Sequence, residues 1–597
     1  MKESVKISAD AAVTNAPPPV RRSSSVLPWL ALMCICLAYV GGTWALHPTY
    51  FFGLTHDDML YFTSAKALAE HRGYIQPSLP GSPLATKYPV LYPWLLSWVW
   101  RWNPSFPANL SGAIWINLIF GLILILASYR IIRQTQGLSK SEALFLVGFC
   151  ALHPLVLFYS GNTLAEVPFA ALALTGLILA DSAMRRDARI ALSLACGVIL
   201  GLTILVRSAG VPLALGLILA AVLRRCWRQA LAFTVSFTPF FVGLFWRSIL
   251  AVPPAPNGVY LSTARGWQQA WLYYTDYVAF RRMASPSLHM VGQFALNQVL
   301  YLPSEIAAYF LSPLSEKSII FWFGTTLLVF CTVCVGWARQ AKTSEWAPAH
   351  VGAALYTLTL LSWDFPDWQR FMLLFLPLIT AALWAQGKKW TLQMASAARS
   401  RPSYVEKLAA GSMVVLFLVV LTSICWNYAA SSRVWFRSVR QKREALLLEK
   451  KEAYAWLRSN ARPDERVIAA EDGSVYLYTG LQSMVPMIPS PGGAYDEGQV
   501  NSDLDHMMDV GRAIRAKYWL VSSDDIDKTQ KFLKPSLASR SRELQAVLPV
   551  LFRSDGGHIL IYDLACVDNP GTPPCRNVAP VLFPEGIPIG EAVNGQD

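Results

Sequence analysis

Residues 26–62 read VLPWLALMCICLAYVGGTWALHPTYFFGLTHDDMLYF. An apolar run from Val26 to Leu46 gives way to a polar turn holding Thr55, His56 and the adjacent carboxylates Asp57 and Asp58. A run of about 20 apolar residues matches the hydrocarbon thickness of a bilayer and exceeds the core of a typical signal peptide. The polar leader before it, 1–26, carries Arg21 and Arg22, three prolines and a Ser run. It is expected to be disordered and cytoplasmic, with a cleaved signal as the lesser alternative. Two ionised aspartates at the foot of a span are costly to dehydrate unless they have partners. They read as a general base or metal ligand, or, with Thr55, as the cap of the next helix.

The whole chain agrees with a membrane reading. Of its 597 residues 54% are hydrophobic and 15% charged, and the mean hydropathy is +0.36, well away from the roughly 25% charge of soluble globular proteins. Disorder, a secreted disulfide scaffold and a nucleic-acid reader are disfavoured. Apolar runs predict spans at 26–46, 110–129, 142–159, 166–184, 190–206, 210–223, 229–249, 318–338, 348–363, 371–386 and 406–427. The fold expected is a polytopic all-α bundle of about eleven transmembrane helices, over 27–427, with a C-terminal extracytoplasmic α/β domain, 428–597.

Charge sets the expected orientation. Residues 1–427 hold 31 Lys and Arg against 16 Asp and Glu, and residues 428–597 hold 20 against 22, so the net +13 belongs to the apolar part. Basic residues mark the predicted inside loops: Arg130, Arg133 and Lys140; Arg185, Arg186 and Arg189; Arg224, Arg225 and Arg228; Arg339 and Lys342; Lys388 to Lys407. By the positive-inside rule the N-terminus is cytoplasmic, and an odd number of spans puts the tail outside. The expected location is the plasma (inner) membrane with a periplasmic tail, where Cys566 and Cys575 have the chance to pair. Outer loops are expected at 47–109 and 250–317. In the tail, a charged helix near 437–460 and the stretches RVIAA, KYWLVSS, LPVLFRS and HILIYDL predict strands among helices. Glu471, Asp472 and the group Asp524, Asp525 and Asp527 read as solvated turn residues.

Further polar residues stand out against this apolar background. Lys87 lies in ATKYPVLYPWLL, where it reads as a phosphate-holding point charge or as a snorkelling interfacial lysine. Glu166, in SGNTLAEVP, begins a predicted span, where a carboxylate also suits the helix dipole. Arg207, in LVRSAG, ends one and reads first as a structural turn residue. Arg370, in DFPDWQRF, is a phosphate fork or a headgroup anchor. No P-loop, HExxH or credible GxSxG occurs.

Asp57-Asp58-x-x-Tyr61 through Gly73, then Lys87-x-Pro89-x-x-Tyr92-x-x-Leu95-Leu96, resembles the GT-C fold glycosyltransferases. The likeness is to the branch of the protein O-mannosyltransferases and the lipid A aminoarabinose transferase. Glu166 followed by Pro168, Arg207 and Arg370 fit the same pattern. The resemblance implies an inverting transfer of a sugar from a polyprenyl-phosphate donor to an acceptor hydroxyl of a lipid, glycan or protein on the outer face. Asp57 would be the general base, its pKa raised by shielding from water. Asp58 and Glu166 would orient the acceptor or ligate a divalent cation, with Asp57 as the other candidate ligand beside Glu166. Lys87, Arg370 and Arg207 would bind the phosphate, with Tyr61 and Tyr92 beside the substrate, and Asp57, Glu166, Lys87 and Arg370 should converge. The chain departs from the common pattern at Asp58, where many relatives have Glu, and at Val90, where many have Pro. The rival readings are a transporter or flippase for a lipid-linked sugar, against which no inverted repeat is visible, and a non-catalytic scaffold whose tail binds partners.

Overall fold

The computed structural model describes residues 26–45, 51–135, 138–185, 188–250, 274, 288–310, 319–343, 347–360, 368–400, 422, 426, 440–486, 509–523, 545–546 and 548–565. Helix α1 (Leu27–Ala45) leads into two shorter helices, α2 (Asp57–Ala69) and α3 (Leu91–Trp102). The bundle continues with α4 (Leu110–Gln134), α5 (Lys140–Ala151), α6 (Pro154–Ser160), α7 (Glu166–Ala183), α8 (Ile190–Val206), α9 (Gly210–Leu223) and α10 (Trp227–Leu250). Then come α11 (Leu288–Ala308), α12 (Ile319–Thr343), α13 (Ala347–Leu360), α14 (Trp368–Met372), a 3-10 turn (Leu373–Phe375) and α15 (Leu376–Ser400).

Helices occupy ten of the eleven predicted span positions, and the eleventh, 406–427, lies outside the described residues. Five described helices have the length and hydropathy to cross a membrane alone, six if α5 and α6 form one bent span. Three more, over Ile190–Val206, Gly210–Leu223 and Ala349–Leu360, are apolar but shorter. Two predicted spans differ in detail. The run 142–159 breaks by 53° between α5 and α6, because Pro154 starts a new helix and the His153 ring caps it by accepting from Leu155 N–H at 3.3 Å. The run 371–386 begins in the last residues of α14, passes through a 3-10 turn and continues as helix past Lys388 and Lys389, since backbone hydrogen bonding does not stop where apolar side chains end.

Burial ranks the helices. The apolar window of α7 is 78% buried and that of α1 17%, so α7 lies inside the bundle while Trp29, Met33, Leu37 and Trp44 of α1 face outward. Small residues let the axes approach, as in other membrane bundles. Gly121 of α4 lies against Tyr39 of α1, whose hydroxyl donates to Ser160 Oγ at 2.7 Å, and Gly216 of α9 meets the Gly352 backbone of α13.

The tail is a small α/β unit, as its alternating apolar stretches predict. Helix α16 (Arg440–Asn460) is followed by β1 (Val467–Ala469), α17 (Asp472–Thr479), β2 (Ser483–Met484), α18 (Asp509–Ile514), β3 (Tyr518–Ser522), β4 (Val550–Arg553) and β5 (Ile559–Asp563). The sheet order is β2-β1-β3-β5-β4, with β1 parallel to β2 and β3, and β5 antiparallel to β3 and β4. Leu446, Tyr454 and Leu457 of α16 pack with Val467, Tyr518 and Ile561 of the sheet. Cys566 and Cys575 and the group Asp524 to Asp527 lie outside the described residues.

A Cβ at Gly121 would fall 1.7 Å from the Tyr39 hydroxyl. Gly121→Ala is therefore expected to destabilise the detergent-solubilised protein by about 1–3 kcal/mol through overpacking, more than Tyr39→Phe, which removes one hydrogen bond worth about 1 kcal/mol. Thermal unfolding of the two variants side by side checks the order.

Candidate active site

The first turn of α2 sends its two carboxylates in different directions. Asp58 is buried and turns back on the chain, its Oδ2 accepting from Gly53 N–H at 2.9 Å and its Oδ1 from Met59 N–H at 2.8 Å. Asp57 accepts the Tyr88 hydroxyl on Oδ1 and the Arg370 guanidinium, through Nη2, on Oδ2. The residue before them, His56, has φ 59°, a left-handed conformation uncommon for a residue with a Cβ.

Arg370 joins two helices through one side chain. Its Nε donates to Glu166 Oε1, the same oxygen that accepts Arg207 Nη1 at 2.7 Å. Glu166 is the first residue of α7 and Arg207 directly follows α8. Successive packed helices place the start of one beside the end of the next, so residues 41 positions apart meet. The short α14 segment is held from two sides, by the Tyr309 hydroxyl on the Gln369 carbonyl and by the Tyr356 hydroxyl on the Phe371 carbonyl at 2.8 Å. The Phe371 ring lies under Arg207, 4.9 Å from its guanidinium carbon.

The remaining predicted residues surround this cluster. Lys87 is buried with its ammonium 5.5 Å from the Tyr88 ring centre. The Tyr61 ring lies 4.5 Å from Tyr88 and 5.2 Å from Tyr92. Tyr92 points away into the bundle, donating to Asn117 Oδ1 at 3.1 Å, while Asn117 Nδ2 holds the Asn162 carbonyl at 2.5 Å. Two of the predicted site residues, Tyr61 through its hydroxyl and Glu166 through Oε2, have a buried polar atom without a hydrogen-bond partner among the described residues. Buried polar groups are nearly always satisfied, and these two keep unused hydrogen-bonding capacity at the site.

The two aspartates titrate apart. Burial pushes the Asp57 carboxyl up, but Arg370, Lys87, Arg207 and the Tyr88 hydroxyl outweigh it and hold the pKa at about 2. This corrects the expectation of a raised value, which counted the lost water and not the cations brought in by distant segments. Asp58 takes the opposite course: burial raises it to about 7 against the lowering by its two backbone donors, with Asp57 and Glu471 raising it further.

The structure also overturns the reading of Glu471 and Asp472 as solvated. Both are buried, Glu471 accepting Lys450 Nζ at 2.8 Å and Asp472 accepting His56 Nε2 at 2.8 Å and the Tyr274 hydroxyl at 2.5 Å. Tyr88 and His56 lay in the quoted motifs without an assigned role, and their contacts reveal one. Asn117 carried no signal beyond being a polar residue inside a span. As for a divalent cation, one oxygen each of Asp57 and Glu166 is bonded to Arg370 and the second Asp57 oxygen to Tyr88, and no group of three or more His, Cys, Asp or Glu that could hold a metal ion occurs among the described residues. In this arrangement the residues present do not form a cation cage.

No protein-family model matches the chain, and no curated protein matches it in sequence. Solved structures do. The apo oligosaccharyltransferase of Archaeoglobus fulgidus superposes with a TM-score of 0.51 at 13% identity, over 90% of this chain and 74% of that one. The same enzyme tethered to an acceptor peptide containing the NVT sequon gives 0.50 at 13% identity and the same coverage. ArnT of Cupriavidus metallidurans bound to undecaprenyl phosphate gives 0.46 at 13% identity, over 90% and 98% of the two chains. The oligosaccharyltransferase superpositions show the fold, the GT-C fold, and the helices long and apolar enough to span a bilayer make this an integral membrane protein.

Asp58 is neutral at low pH in the folded protein and ordinary when unfolded. Its contribution to stability is fully present below the usual carboxylate range and is lost as pH rises through about 7. An infrared pH titration should show one buried carboxyl losing its proton at about 7, and Asp58→Asn should remove that transition and leave the rest of the titration in place.

Proposed function

We propose that the chain is a membrane glycosyltransferase that moves a sugar from a polyprenyl-phosphate donor to an acceptor hydroxyl on the outer face of the membrane. The observation that supports this best is the convergence of Asp57, Glu166, Arg207 and Arg370, with Lys87 alongside, at one end of a bundle with the GT-C fold. A buried site with three cations suits an anionic leaving group. Apolar helix surfaces give the polyprenyl chain a medium, and membrane lipids are the other expected partners; nucleic acid is not.

The arrangement suggests an order of events. Both Asp57 oxygens are engaged, one by Tyr88 and one by Arg370, and a carboxylate held at about 2 is a poor base. Donor phosphate competes for Arg370 and Lys87 and neutralises the charge that lowers Asp57. Burial then acts with less opposition, and the freed oxygen takes the acceptor's proton. The acceptor oxygen bonds to the anomeric carbon as the bond from that carbon to the phosphate oxygen breaks, and the electron pair leaves on the phosphate. Attack opposite the leaving group inverts the anomeric centre. Lys87 and Arg370 stabilise the departing charge, with Arg207 holding Glu166 so that its free Oε2 and the Tyr61 hydroxyl orient sugar or acceptor.

Mass spectrometry of glycans and lipid-linked sugars, with the gene deleted and then restored, tests the proposal. The wild-type gene should restore a glycosylated product and relieve an accumulated lipid-linked donor. Asp57→Asn should reduce transfer by about 10²–10⁴-fold, the usual size of a general-base contribution, with unchanged amounts of protein in the membrane. Full product with Asp57→Asn would refute the assignment and favour a flippase.

A further inference from the structure

Three successive residues of the tail seat on the segment that runs from Gly53 into the first turn of α2. Gly53, at φ +89°, packs against Glu471, where an added Cβ would fall 3.0 Å from Oε2. His56 bonds to Asp472. Met59 packs on Gly473, whose added Cβ would come within 2.6 Å of the Met59 Cβ, and its sulfur accepts Ser474 Oγ at 3.2 Å. Positions 53, 56 and 59 thus meet positions 471, 472 and 473, and Asp57 lies inside the gripped segment.

Asp472 is the centre of this contact. Its side chain is 0% exposed. Oδ1 accepts His56 Nε2 at 2.8 Å and Gly473 N–H at 2.8 Å, and Oδ2 accepts the Tyr274 hydroxyl at 2.5 Å. The Tyr274 oxygen in turn accepts Val485 N–H at 3.2 Å, and its ring lies 5.7 Å from that of His56. A buried carboxylate with this many donors is a fixed point. His56, held by it, adopts the left-handed backbone that precedes α2, and that backbone sets the direction in which the first helical residue, Asp57, projects.

We propose that the tail domain aims the base: Asp472 is a positioning residue that holds His56 in its left-handed conformation and so directs Asp57 toward Arg370. The inference rests on the reading of Asp57 as the base, although the mechanical link itself does not.

The test uses the full chain in lipid nanodiscs, with Asp472→Asn, Asp472→Ala and the double change Asp472→Ala/His56→Gly. Amide exchange by mass spectrometry and product level in the deletion strain are read together. Asp472→Ala should speed exchange at Gly53 and Leu60, the amides bonded to Asp58 and the His56 carbonyl, by about tenfold or more, while β1 and β3 stay protected. Product should fall by about 10–100-fold, the cost of a misaimed group, and less with Asp472→Asn, which keeps shape and one acceptor. Adding His56→Gly should recover part of the loss, because glycine takes a positive φ without being held there. Unchanged exchange at Gly53 and Leu60, or loss of β1 and β3 protection with no recovery by His56→Gly, would overturn the proposal. If the wild-type gene restores no product, the transferase reading fails while the exchange data still decide the mechanical link.

Discussion

A single guanidinium ties the site together. Arg370 reaches Glu166 at the start of α7 with Nε and Asp57 at the start of α2 with Nη2, while Arg207 from the end of α8 reaches the same Glu166 oxygen. Four separate segments meet on those contacts. Such a cluster, buried as it is, survives only if each charge is compensated, and the two carboxylates and two arginines balance one another. Lys87 adds one further positive charge beside them, a composition that accommodates an incoming anion.

The tail domain belongs to this arrangement. Its Asp472 and Gly473 press on His56 and Met59, and Lys450 and Arg443 of α16 surround Glu471 next to Gly53. The soluble-looking part of the chain therefore has a buried polar face, and that face covers the loop that presents Asp57. The His56–Asp472 pair joins the two parts directly, a buried contact that a domain merely decorating the bundle would not need.

Much of the fold was legible because apolar length and strand alternation are local properties. The ten described span positions, the helix at the start of the tail and the strands at RVIAA, KYWLVSS, LPVLFRS and HILIYDL all follow from patterns within a single stretch. The break at Pro154 and the helix running past Lys388 were less legible, since hydropathy records where membrane contact ends and not where hydrogen bonding does. In the site, Asp57, Glu166, Arg207 and Arg370 stood out as charges at the ends of apolar runs, and the structure brings them into contact. What no local pattern carries is the partner from elsewhere in the chain. Asp472 looks like a turn residue until His56, 416 positions away, is found against it, and the low pKa of Asp57 depends on cations from three distant segments.

In the proposed reaction Arg370 exchanges Asp57 for a lipid phosphate. A cryo-electron microscopy structure of the full chain with undecaprenyl phosphate tests that exchange most directly. The phosphate should lie on Arg370 and Lys87, with the contact between Asp57 and Arg370 opened and a carboxylate oxygen freed. A phosphate bound elsewhere, with Arg370 still lodged between Asp57 and Glu166, would contradict it.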